Sequence, residues 1–160
     1  MGDNQMNVII KLKPFLCFLF VPPAAGLLPF LATSKLGERY LSDIQPVLRL
    51  SLSGFLALWL VMLVLMGLAG YLVYQSRSRS KQRALRSGGY LLMGFVLWGL
   101  FTLGLNLPLV GLVLMAVCAF CALKFAAESL WVNKGAFFLC GAEFLWAVYL
   151  AANSFFLWRL

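Results

Sequence analysis

Five apolar runs, separated by short polar segments, set the pattern of this chain. Residues 15–32, 52–74, 90–106, 109–127 and 136–158 are almost free of charge; within them only Lys124 and Glu143 are charged. About 20 apolar residues of helix cross a bilayer core roughly 30 Å thick. In hydrocarbon every backbone N–H and C=O must find its partner inside the protein, so such runs are helices. The pattern predicts an all-α membrane protein: a bundle of five transmembrane helices forming one domain over residues 1–160. Pro22, Pro23 and Pro29 interrupt the first run. Each removes a helical N–H, so that helix should kink and offer freed carbonyls to its neighbours. Asn106-Leu107-Pro108 reads as a tight turn ending a short third span.

The connections differ in character. TSKLGERYLSDIQPVLRLS, after the first run, has mixed charges and is long enough for a lid or a short interfacial helix. QSRSRSKQRALRSGG carries Arg77, Arg79, Lys81, Arg83 and Arg86 and reads as a basic loop between the second and third spans. Such a cluster marks the cytoplasmic side and is compatible with anionic-lipid contact. With this loop inside, Lys11, Lys13, the five loop charges, Lys124 and Lys134 make nine basic residues inside. Lys35, Arg39, Arg49 and Arg159 make four outside, which favours an inward N-terminus and an outward C-terminus. Lys11 and Lys13 precede the first run as they would in a signal peptide. The prolines and the lack of a small-x-small cleavage site make it a retained first span.

Composition narrows the function. The chain is 63% hydrophobic and 11% charged, with mean hydropathy +0.94. A soluble domain carries about 25% charge, so this composition excludes a disulfide scaffold, a disordered chain and a nucleic-acid-binding domain. The net charge of +8 therefore concerns topology and lipid, not a nucleic acid. There is no His, which removes His-ligated haem, His-containing zinc sites and Ser–His triads. Cys118 and Cys121 form a lone C-x-x-C within an apolar run, where small apolar packing is the simpler explanation. The reading assigns no catalytic residue and no metal ligands, and it requires no cofactor.

Glu143 is the carboxylate inside a span. An acid there costs a few kcal/mol and marks a functional site or a neutral side chain bonded to a backbone carbonyl. Asn153 suits an interhelical hydrogen bond, and Asn106 suits a cap or turn. Trp131 and Trp158 lie near span ends, as in an interfacial belt. Trp59, Trp98 and Trp146 lie deeper, where indoles either pack or wall a flat apolar ligand.

The spacings carry a resemblance. Tyr40 and Pro46 keep the separation found in W-Y-x-x-L-x-K-P-x-W-x-P-P. Phe55, Trp59, Met66, Gly67, Ala69, Tyr71 and Leu72 follow F-x-x-x-W-x-x-L-Y-x-x-M-G-x-A-x-Y-L without a gap. Leu103, Leu105 and Asn106 fit Q-L-x-L-N, and Ala136, Leu139 and Trp146 fit the last span, with Tyr149 where a Phe is usual. In these positions the chain resembles the tryptophan-rich sensory protein/translocator protein family, also called the peripheral benzodiazepine receptor family. It departs from that pattern at Arg39, Gln45, Leu48, Leu63, Thr102, Leu109, Ala142 and Glu143.

The resemblance implies a five-helix bundle, often a homodimer, that binds porphyrins or haem-like tetrapyrroles, with sterols in animal members. It implies a pocket under the first loop, lined by Trp59, Asn106 and Trp146, with Tyr149, Glu143 and Tyr40 close by. Lys35, Arg39 and Arg49 could meet ligand carboxylates from that loop. The leading expectation is a multi-pass receptor or carrier in a bacterial cell membrane or an organelle, holding a tetrapyrrole or lipid by apolar burial. The alternatives are a small transporter that uses Glu143, and an assembly subunit packed through Gly94, Gly99 and Gly104.

Overall fold

The computed structural model describes residues 12–32 and 50–159. Five helices cross it: α1 (Leu12–Ala32), α2 (Leu52–Gln75), α3 (Lys81–Trp98), α4 (Pro108–Leu130) and α5 (Lys134–Arg159). A π-helical segment, Gly99–Gly104, continues α3. Counting that segment with α3, all five are long and apolar enough to span a membrane. The protein is an integral, multi-pass membrane protein of all-α class, as the apolar runs predict.

Helix ends follow local chemistry. The Ser51 hydroxyl accepts the Gly54 N–H at 3.1 Å and caps α2. Pro108 opens α4, where its missing N–H has no helical partner to lose. Asn133 Oδ1 accepts from the N–H groups of Gly135 and Ala136 at 2.8 and 3.3 Å and starts α5. One boundary corrects the sequence reading. The helix that carries the third span begins at Lys81, ahead of the apolar run at residue 90, and the connection before it shrinks to residues 76–80. Lys81, Gln82, Arg83, Ala84, Leu85 and Arg86 are strong helix formers. Only Ser76 to Ser80 is left as a turn, held by Ser78 and Ser80 N–H groups on the preceding serine hydroxyls.

The helices close a ring in the order α1, α2, α5, α4, α3, with α4 and α5 sharing the most extensive contact. Two close approaches seat α1. Pro22 has no N–H for the Phe18 carbonyl, and that oxygen faces Gly67 of α2, where a Cβ would collide with it. Near the other end of α1, Pro29 lies on Gly99 of the π segment, again where only a missing side chain leaves room. Pro22 and Pro29 thus both lie at helix–helix contacts.

Candidate functional site

The largest side chains of the interior gather in the half of the bundle where α1 ends and α2 begins. Helical spacing puts them there: Phe55 and Trp59 are four apart on α2, Phe95 and Trp98 three apart on α3, and Trp146 and Tyr149 three apart on α5. Trp59 is the hub and is fully buried. Its ring stacks on Trp98 at 5.4 Å and on Phe55 at 6.0 Å. It meets Phe30 of α1 edge-on at 5.4 Å, Phe95 at 5.7 Å and Trp146 at 6.1 Å. Tyr149 extends the wall by stacking on Trp146 at 5.0 Å. Edge-on and offset geometries of this kind add about 0.5–1.5 kcal/mol per pair beyond simple burial.

Two indole N–H groups fix the orientation of the cluster. Trp59 donates to the Gly26 carbonyl of α1 at 3.1 Å, and Trp98 donates to the Ser154 hydroxyl of α5 at 3.1 Å. Beyond the Trp98 edge lies buried polar capacity. Thr102 Oγ1 and Ser154 Oγ both face Gly111 of α4, and the Thr102 hydroxyl has no hydrogen-bond partner. Asn153 is fully buried with neither amide atom bonded. It lies one heptad beyond Trp146, on the same face of α5.

Of the residues expected at a site, the structure brings together Trp59, Trp146 and Tyr149. Asn106 lies apart from them. It is exposed at the turn before α4, with φ of 52°, a left-handed backbone that Asn tolerates better than most residues. The turn accounts for an Asn at this position, while Asn153 is the buried amide of α5, two turns beyond Trp146. Glu143 is fully buried one turn before Trp146; the Met66 backbone faces it, yet neither carboxyl oxygen has hydrogen-bond geometry. Tyr40, Lys35, Arg39 and Arg49 lie outside the described residues.

The candidate residues named from the sequence did not include Phe30, Phe95, Thr102 or Ser154, and Trp98 was read only as a deep indole that packs or walls a ligand. Phe95 and Trp98 had a usable signal in their spacing of three. Thr102 did not, because it sits in the π segment, where the helical period changes. All four cysteines are free thiols; Cys118 packs against Gly94 and Cys140 against the Ser129 hydroxyl at 3.8 Å, whereas Cys17 is exposed.

The register of Phe55, Trp59, Gly67 and Trp146 now has a spatial meaning, since these residues form the aromatic hub and the α1–α2 contact. A family model described as the TspO/MBR family matches residues 18–159, nearly the whole chain. The chain belongs to the TspO/MBR family. No curated protein matches it. Within this TspO/MBR protein the matched stretch runs from Phe18, whose carbonyl meets Gly67, to Arg159 at the end of α5. It therefore includes every ring of the aromatic cluster.

Proposed function

We propose that this TspO/MBR protein is a membrane receptor or carrier for a flat apolar ligand, a tetrapyrrole or a lipid, held against the Trp59–Trp146–Tyr149 wall. The observation that carries this reading is the aromatic hub built from four helices around Trp59, in a family associated with tetrapyrrole binding. The rings are in mutual contact, so a ligand enters by parting them. Phe30 is the ring that can leave, because it belongs to α1, the least buried of the five helices. Losing its edge contact with Trp59 and its tilted contact with Phe55 costs about 1–3 kcal/mol. A flat ring system stacking on the exposed indole face offsets that cost. The unpaired Asn153 amide would then fix orientation through a hydrogen bond. Carboxylates on the ligand would meet Lys35, Arg39 or Arg49 of the first connection.

Titration of detergent-purified protein with protoporphyrin IX tests this. Saturable quenching of Trp fluorescence is expected, with affinity lowered by Trp59→Phe, Trp146→Phe and Asn153→Ala. Unsaturable quenching, or an affinity unchanged in all three variants, refutes it. A second reading, transport coupled through Glu143, is favoured by its buried and unpartnered carboxyl. It requires Glu143→Gln to abolish porphyrin flux in proteoliposomes while leaving porphyrin affinity intact.

A further inference from the structure

Away from the aromatic hub, the bundle opens. α1 touches α3 through Pro29 and Gly99 at one end and parts from it toward the end bearing the Ser76–Ser80 turn. The gap is a cleft of about 300 Å³. Its walls are Val21 of α1, Met66 of α2, Leu85 and Leu92 of α3, and Phe125 of α4. Gly70, Gly88 and Gly89 supply no side chain to fill it. Water has almost no polar partner on such walls, so an apolar occupant fits better. At roughly 30 Å³ per methylene-sized group the volume suits about ten of them, a segment of one acyl chain.

Charge sits at one mouth of this cleft. Leu85, Gly88 and Leu92 form one stripe of α3, and Lys81 is the next residue of that stripe, one turn before Leu85. Lys81 is held there by the Tyr74 ring, with its ammonium 5.6 Å from the centroid, and Tyr74 in turn packs on Phe18 of the cleft wall at 5.5 Å. On α1, Cys17 and Val21 line the cleft, and Lys13 is the residue one turn before Cys17 on that stripe. The N-terminus of α3, whose Ser80 makes no side-chain cap, adds partial positive charge at the same level. The nearest acid of α4, Glu128, lies one turn beyond the cleft-lining Phe125 and accepts a 2.7 Å hydrogen bond from the Ser87 hydroxyl, so a single carboxylate faces the charges of two lysines. The cleft is therefore apolar in its depth and cationic at its mouth, the order of parts in an anionic phospholipid.

We propose that this cleft is a lipid site: it takes one acyl chain of an anionic phospholipid, and Lys81 and Lys13 bind the phosphate. The site is separate from the aromatic hub, so the two readings stand or fall independently.

Native mass spectrometry of the delipidated, full-length protein in detergent tests the proposal with dioleoyl-phosphatidylglycerol, dioleoyl-phosphatidylcholine and glycerol phosphate. One phosphatidylglycerol should be retained in preference to phosphatidylcholine. Lys81→Gln and Lys13→Gln should each weaken phosphatidylglycerol retention about fivefold, whereas Arg77→Gln, off both stripes, should leave it unchanged. A Cβ at Gly89 meets nothing within 4 Å, so Gly89→Leu fills the cleft without disturbing the bundle and should abolish retention. Leu92→Trp should act in the same way. Equal retention of the two lipids points to a non-selective lipid annulus and overturns the proposal. So does full competition by glycerol phosphate, which means a free-phosphate site. Undiminished lipid binding in both filled variants, or a dimer whose interface covers the cleft, overturns it as well.

Discussion

Replacing Trp59 by Phe isolates what the hub indole does for α1. A phenyl ring at this position retains the contacts with Phe30, Phe55 and Trp98 but loses the N–H that binds the Gly26 carbonyl at 3.1 Å. Interhelical hydrogen bonds in membranes are worth about 0.6 kcal/mol on average and up to about 1.7. The missing five-membered ring leaves a hole of roughly 40 Å³ in a fully buried site, which at about 24 cal/mol per Å³ adds about 1 kcal/mol. The expected loss is about 1.5–2.5 kcal/mol, measured as the midpoint shift in SDS-driven unfolding followed by circular dichroism. Trp98→Phe is the control, since it loses a bond of the same length to Ser154, on α5 rather than α1. Both variants should be destabilised, but only Trp59→Phe should accelerate hydrogen exchange in α1. Porphyrin should also enter that variant faster, because Phe30 departs with a loosened α1. A Trp59→Phe protein within 0.3 kcal/mol of wild type, roughly the resolution of such comparisons, refutes this account of how α1 is held. An exchange pattern matching that of Trp98→Phe refutes it too.

Three further outcomes follow from single contacts. Gly67→Ala drives a methyl group into the Phe18 carbonyl and should destabilise the α1–α2 pair by about 1–3 kcal/mol in the same unfolding assay. Glu143→Leu replaces a buried, unpartnered carboxyl with an apolar group of similar volume and should stabilise by about 1–3 kcal/mol; a loss instead would mean that a bound group satisfies the acid. Asn106→Val puts a β-branched residue at φ of 52° and should cost about 1–2 kcal/mol, whereas Asn106→Gly should match wild type and leave porphyrin affinity unchanged.

The apolar runs made the five spans legible because a bilayer imposes one length and one backbone solution on each of them. The start of α3 was not legible in that way. Hydropathy marks where charge enters a sequence, but Lys81 through Arg86 continue the helix beyond the apolar run. Trp59 and Trp146 stood out through their depth and register, and the fold brings them into contact. Asn106 stood out equally and lies exposed at the turn that Asn106-Leu107-Pro108 predicts, and a spacing match does not by itself separate a ligand contact from a backbone requirement. The π segment erased the signal for Thr102 by shifting the period on which face assignments depend.

The membrane class, the five spans, the prolines inside α1 and the clustering of basic charge were all legible in the sequence, because each depends on residues near one another in the chain. Which faces meet is a matter of the packed bundle. It placed the Gly26 carbonyl against the Trp59 indole N–H, buried Asn153 while leaving Asn106 exposed at a turn, and opened an apolar cleft where α1 and α3 part. Each of these depends on the rotation of one helix against another, and the five helices are so uniformly apolar that hydropathy does not fix that rotation. Packing does: a missing side chain at Gly67 and at Gly99 lets α1 approach in one orientation, and the aromatic hub locks it there.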